Sequence, residues 1–237
     1  MGDPRGFTPS TIPIIFEDED LLLVDKPAGL LSVPDGYQKD LPHVRKLLQP
    51  DHGSLWLVHR LDKDTSGLMM LAKNASAHRE LNRQFKEREV EKFYLCLASP
   101  PPDWQAKTVD LPLKINLGRQ HLTKADPVFG KPATTNFQTL AVQKDMAALV
   151  CSPLTGYRHQ IRAHLYALGI GILGDPLYQP QRNSETSYSR LMLHAFGLRL
   201  KHPTSGERCS WFAPIPEAFS DVVPLELLPD LRMLLAD

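Results

Sequence analysis

His59-Arg60-Leu61-Asp62-Lys63-Asp64-Thr65-Ser66-Gly67 is the stretch that decides how this chain is organised. Apolar runs flank it at residues 54–58 and 68–72, and both have the length of strands. Asp64, Thr65, Ser66 and Gly67 suit a loop between them, because short polar side chains bond nearby backbone and glycine accepts positive φ. Strands on either side would fix Arg60 and Asp62 at the lip of a sheet, while the loop stays open to a substrate. An aspartate among Ser, Thr and Gly is also ordinary turn chemistry. The neighbouring chain has to decide between the two.

Upstream, residues 12–16 and 21–25 are strand-like runs separated by Glu17-Asp18-Glu19-Asp20, which fits a solvated hairpin tip. Lys26-Pro27-Ala28-Gly29-Leu30-Leu31-Ser32-Val33-Pro34 is a bend punctuated by proline and glycine. Residues 40–48 predict a short helix, with Pro42 near its start and Val44, Leu47 and Leu48 inward. Downstream, Ser76 offers an N-cap for a helix running to about Arg88. Ala77, Leu81 and Phe85 form its apolar stripe, and Arg79, Arg83, Lys86 and Arg88 cover other faces. That basic helix is either a solvated face or a rail for nucleic-acid phosphates.

Residues 91–98 alternate as a half-buried strand, with Lys92, Tyr94 and Cys96 on one face and Phe93, Leu95 and Leu97 on the other. After a turn at residues 100–103, residues 113–132 are poor in apolar side chains and carry Lys114, Arg119, Lys124 and Lys131 against Asp126. Such an insertion suits a mobile loop or a clamp on a nucleic-acid backbone. Residues 146–152 read as a strand. Residues 158–168 read as a helix with Ile161, Leu165 and Leu168 in register and Gly169 as its C-cap, placing Arg158 and Arg162 on one face. Residues 201–209 form a hairpin candidate, and the tail 224–237 predicts short helical turns.

The 237 residues are 42% hydrophobic and 23% charged, an ordinary globular composition. No apolar run approaches the roughly 20 residues of a bilayer span, and the opening lacks the layout of a signal peptide. A soluble, cytoplasmic protein is expected. The three cysteines, Cys96, Cys151 and Cys209, lie far apart in the sequence and suggest neither a disulfide framework nor a zinc site. Net charge is zero, but unevenly spread. Residues 1–50 hold 5 Lys and Arg against 8 Asp and Glu, residues 214–237 hold 1 against 5, and the span between them keeps 21 against 14. The positive field gathers around the decisive stretch, as binding of a polyanion requires.

His59-Arg60-Leu61-Asp62, followed by Thr65-Ser66-Gly67, resembles the signature of the RluA-type pseudouridine synthases. The resemblance extends over residues 12–213. Lys26 to Pro34 is similar to the family's first motif, and Lys92-Phe93-Tyr94 to its second. Gly130-Lys131-Pro132-Ala133-Thr134-Thr135 follows a basic loop as in the family, and Arg190-Leu191-Met192-Leu193-His194-Ala195 is a later match. Thr155-Gly156-Tyr157-Arg158-His159-Gln160-Ile161-Arg162 resembles the third landmark with two departures: Tyr157 stands where the family has arginine, and Arg158 where it has a small hydroxyl residue. The fold this implies is α+β, a mixed and mainly antiparallel sheet with flanking helices and a central RNA-binding cleft. A tail at residues 1–11 would precede one catalytic domain at 12–237, the short form without an N-terminal S4 domain.

The resemblance implies an RNA pseudouridine synthase that isomerises uridines in a structured ribosomal or transfer RNA stem-loop, working as a monomer. Asp62 would be the essential carboxylate, Arg162 the cation that keeps it charged, and Tyr94 the ring that stacks on the target base. Arg60 would fill the space left by the flipped base. Arg158, Lys131 and Arg83 would meet RNA, and Ile161 and Leu193 would line the base pocket. Isomerisation changes no redox state and consumes no external nucleophile, so neither cofactor nor metal is implied. An ionised carboxylate could attack the sugar, attack the base or assist a glycal route. Extruding a base from its stack costs a few kcal/mol, and an aromatic platform returns roughly 1–3 kcal/mol.

The same residues fit other classes. An N-glycoside hydrolase could pair Asp62 with Asp64, two residues along an extended chain, since retaining glycosidases need about 5–5.5 Å between carboxyls. A metal hydrolase has nine histidines to draw on, yet the sequence holds no His-Glu-x-x-His motif. A non-catalytic RNA-binding protein would keep the basic surface and dispense with Asp62.

Overall fold

The structure is a computed structural model that describes residues 6–118, 120–180, 188–220 and 231–232. Arg119 and all but two residues of the 224–237 tail lie outside them. The chain opens with β1 (Ile14–Glu17), β2 (Leu21–Lys26), α1 (Val44–His52), β3 (Trp56–Leu57), β4 (Ser66–Ala72) and α2 (Ala75–Lys86). Next come β5 (Glu91–Ser99), β6 (Ala106–Asp110), β7 (Leu113–Leu117), β8 (Leu122–Ala125), β9 (Thr134–Gln143) and β10 (Met146–Pro153). They are followed by α3 (Gln160–Ala167), β11 (Gly171–Ile172), β12 (Leu193–Lys201), β13 (Arg208–Phe212) and α4 (Glu217–Ser220). The architecture is α+β with a mainly antiparallel sheet and few helices. Among the described residues, no helix is long and apolar enough to cross a membrane.

Two compact units emerge, one from Met1–Val90 with Ala195–Pro214, the other from Glu91–His194 with Ile215–Asp237. In the first, β2 pairs with β1 and β4, β4 also takes the short β3, and β12 pairs with β13. Leu21, Leu23, Leu68 and Met70 are buried beneath α2, whose Ala77 and Leu81 complete the core with Phe85 packed at its edge. The predicted stripe is therefore the buried face. The N-cap is Asn74, not Ser76, because the Asn74 side chain accepts from the Ala77 amide while its own amide group donates to Asp20. Helix α1 starts at Val44, later than residue 40, since His43 caps it by accepting from the Lys46 amide.

The acidic hairpin tip is more than a solvated turn. Glu17 meets Lys73 and His52, Asp18 bonds the Asp20 and Leu21 amides and His202, and Asp20 receives Asn74. Hydrogen bonds from Lys73 and then His52 hold the Glu17 carboxyl below the ordinary value. Ser66 and Gly67 also depart from the loop predicted for them and open β4. Gly67 sits at φ 113°, with Lys26 opposite it in the ladder, and a Cβ there would lie 2.6 Å from the Ala195 backbone nitrogen. Only glycine permits that approach.

In the second unit β10 lies between β5 and β9, β6 flanks β9, and β11 pairs with β5. Strands β7 and β8 form a separate two-stranded ribbon, so the basic insertion is a hairpin with defined backbone. The β5–β10 register brings Cys96 and Cys151, distant in sequence, to 3.5 Å between sulfurs, both buried as free thiols. Burial and the Cys96 contact raise the Cys151 pKa.

Candidate active site

Asp62 lies half-buried in the connection from β3 to β4, and each of its neighbours in sequence is fixed. The buried Ser32 hydroxyl donates to the Leu61 carbonyl at 2.8 Å and accepts from the Leu61 amide at 3.1 Å. On the other side the Lys63 carbonyl accepts from the Gly29 amide at 2.7 Å and from Lys26 Nζ at 3.0 Å. Lys26 is fully buried and also donates to the carbonyls of Pro27 and Leu30. It ties the 26–32 bend to the Asp62 connection. Three carbonyl dipoles around one cation offset part of its desolvation.

The Asp62 carbonyl accepts from the Thr65 amide at 3.2 Å, closing the turn. His59 Nε2 accepts from the Met70 amide at 2.9 Å, which puts a neutral ring's proton on Nδ1, and the ring stacks on Phe85 at 5.0 Å. Arg60 is exposed. The connection is thus backbone-anchored at three consecutive residues, Leu61, Asp62 and Lys63, and this preorganisation is what an aspartate needs to act without reorganising.

Tyr94, Lys131, Arg158, Ile161, Arg162 and Leu193 belong to the second unit. Arg162 is 3% exposed on α3, and its Nε and Nη2 donate to the two oxygens of Asp175 at 2.7 Å each. Asp175 is fully buried and its Oδ1 accepts further from the Leu177 and Tyr178 amides. The Tyr178 ring lies under the guanidinium, 4.9 Å from centroid to Cζ. Two parallel bonds and a stacked ring fix the guanidinium plane, a task that lysine's point charge does not perform.

The start of α3 is built by Gln160. Its Oε1 accepts from Thr155 Oγ1 and the Tyr157 amide, and its Nε2 donates to the Thr134 carbonyl and Thr135 Oγ1. Thr135 Oγ1 lies 2.9 Å from His164 Nδ1, and His164 Nε2 lies 3.0 Å from the Leu111 carbonyl. A carbonyl only accepts, so Nε2 carries the proton and Nδ1 takes the threonine hydroxyl. Burial lowers the His164 pKa, which keeps the ring neutral.

The helix begins at Gln160, not Arg158, because His159 takes the left-handed conformation at φ 56° with its ring against the Tyr178 hydroxyl. Arg158 therefore shares no helical face with Arg162; it is exposed before the helix, its carbonyl taken by Thr123 Oγ1. Arg83 is likewise corrected. Its guanidinium meets Glu80, Glu87 and Glu89, so the geometry gives no support to a phosphate contact. Tyr94 is half-buried on β5 opposite Cys151, Lys131 is exposed, and Ile161 and Leu193 are buried.

Residues 20–167 match the family model described as RNA pseudouridylate synthase. The dual-specificity RNA pseudouridine synthase RluA of Escherichia coli (strain K12) is 38% identical over 202 residues, covering 85% of this chain and 92% of that protein. Ribosomal large subunit pseudouridine synthase D of Zymomonas mobilis subsp. mobilis is 34% identical over 90% of this chain and 73% of its own length. Among solved structures, human RNA pseudouridylate synthase domain containing 4 superposes with a TM-score of 0.73 at 27% identity, over 91% of this chain and 92% of that one.

The chain belongs to the RNA pseudouridine synthases.

Members of this synthase family are isomerases that convert uridine to pseudouridine. Within the synthase reading, sequence reasoning missed Asp175, Lys26 and the Gln160–Thr135–His164 chain. The Asp175 signal was present, because Ile172-Leu173-Gly174-Asp175-Pro176-Leu177-Tyr178 resembles the family motif that follows the third landmark. Nothing local pairs it with an arginine thirteen residues earlier.

Proposed function

We propose that this synthase isomerises uridines in ribosomal or transfer RNA stem-loops, with Asp62 as the essential carboxylate. The C1′–N1 bond of the nucleotide breaks, the base turns, C1′ bonds to C5, the proton on C5 leaves to water, and N1 takes a proton from water. Arg162 supplies the cation that the chemistry needs, Tyr94 stacks on the reacting base, and Arg60 fills the space the base vacates. Ile161 and Leu193 give the base apolar surface, and Arg158 and Lys131 meet phosphates. The protein acts as a monomer in the cytoplasm.

The observation that carries this reading is the immobilised connection around Asp62, held by Ser32 on one side and by Gly29 and Lys26 on the other. A plain surface turn has no need of a buried lysine. The names of the relatives favour RNA substrates: one is called a dual-specificity RNA pseudouridine synthase and one a ribosomal large subunit pseudouridine synthase. Mapping pseudouridines in total RNA from cells with and without the gene tests the substrate directly. One or a few sites in ribosomal or transfer RNA are expected to vanish with the gene and return with it. An unchanged map overturns the assignment.

A further inference from the structure

We infer that Phe129 is a stacking platform for an unpaired RNA base other than the reacting one. The inference rests on the RNA reading above and adds to it a contact that the decisive motif does not contain.

A single exposed apolar side chain is normal on any surface. Phe129 differs in how it is displayed. It is 76% exposed, and Val128 beside it is 77% exposed, yet the turn that carries them is tightly built. Asp126 Oδ1 accepts from the Val128 and Phe129 amides at 3.1 and 2.8 Å, and the Asp126 carbonyl accepts from Gly130 at 2.8 Å. The Asp126 amide donates to the Pro112 carbonyl, and Leu113 and Lys131 exchange both backbone bonds at 2.9 Å. A Cβ at Gly130 would lie 2.6 Å from the Pro112 carbonyl carbon and 2.7 Å from the Leu113 nitrogen. The backbone that carries the ring is therefore held in place, and the ring stands exposed on that mount.

The surroundings say what the ring is for. Lys114 Nζ lies 5.5 Å from the ring centroid, Lys124 is opposite Lys114 in the β7–β8 register, and Lys131 follows two residues after Phe129. All three lysines are exposed. The Asp126 carboxylate is occupied by the turn's own amides and approaches Lys114 only at 3.9 Å. Lysine is depleted at protein–protein interfaces, whereas an aromatic face among cations is how single-stranded nucleic acid is held: phosphates by charge, a base by stacking.

The test is binding and turnover by Phe129→Ala, Phe129→Leu and Phe129→Trp. Binding is read by fluorescence anisotropy on a fluorescein-labelled RNA stem-loop with an unpaired loop, and turnover on an RNA that the wild type modifies. Because Phe129 is solvent-exposed, all three variants should fold, with unchanged circular dichroism. The Ala and Leu variants are expected to raise Kd and KM roughly ten-fold, within the range of one base stack, with kcat unchanged. The Trp variant should match or exceed wild type. Wild-type affinity in Phe129→Ala, or full rescue by Phe129→Leu, overturns the inference. If wild type binds RNA without isomerising uridine, the functional reading fails, and the Kd series still judges Phe129. If wild type binds no RNA, both fail.

Discussion

Asp62→Asn and Asp62→Ala yield no pseudouridine, while RNA affinity stays within about two-fold of wild type. The expectation follows from what the side chain does in the proposed reaction, which uses an ionised carboxylate; an amide of the same shape supplies neither charge nor nucleophile. Affinity survives because binding rests mainly on phosphate neutralisation and stacking, to which a single carboxylate contributes nothing favourable. The ties to Ser32, Gly29 and Lys26 that hold the connection are made by the main chain of Leu61 and Lys63, and circular dichroism of each variant checks that the fold is kept. Primer-extension mapping on a modified RNA, beside a binding curve for each variant, checks both halves. Measurable product from a pure Asp62→Asn preparation removes Asp62 from the chemistry.

The second large effect is on stability. Asp175→Ala leaves the Arg162 guanidinium, 3% exposed, without its fork, and strips the Leu177 and Tyr178 amides of their acceptor. Breaking one side of a buried pair costs about 3–5 kcal/mol, a large share of the 5–15 kcal/mol typical of a folded domain. For a chain of this size the melting temperature should fall by roughly 6–20 °C. Asp175→Asn keeps an oxygen for the two amides but loses the charge and one arm of the fork. It should therefore fall between Asp175→Ala and wild type in stability and lose much of its kcat, because the Arg162 plane is no longer fixed. A thermal melt within about 3 °C of wild type for Asp175→Ala contradicts the account of this pair.

The parts of this molecule visible in its sequence are those that depend on neighbours in the chain. The runs either side of Asp62 were readable because strand length and apolar content are local: β3 falls within the first run and β4 spans the second. The stripe Ala77, Leu81 and Phe85 was readable for the same reason. The errors come from contacts between distant residues. Asn74 displaces Ser76 as the cap because its amide also reaches Asp20, 54 residues away. The start of α3 moves because His159 turns left-handed against Tyr178, whose hydroxyl also accepts from the Thr123 amide. Lys26 offered no pattern for burial, since the carbonyls of Pro27, Leu30 and Lys63 that it meets are groups any residue carries. Arg83 looked free on a basic helix, but Glu80 precedes it by three positions and Glu87 follows by four, spacings that bring side chains together on a helix.

The central claim is that the chain moves a uracil from nitrogen to carbon attachment on the same ribose. It is tested most directly by following tritium in RNA labelled at C5 of uridine, incubated with the wild-type protein and ribosomal or transfer RNA. The account predicts tritium released to water in proportion to pseudouridine formed, with no free uracil. Free uracil with the C5 label retained would contradict it and make the protein an N-glycoside hydrolase.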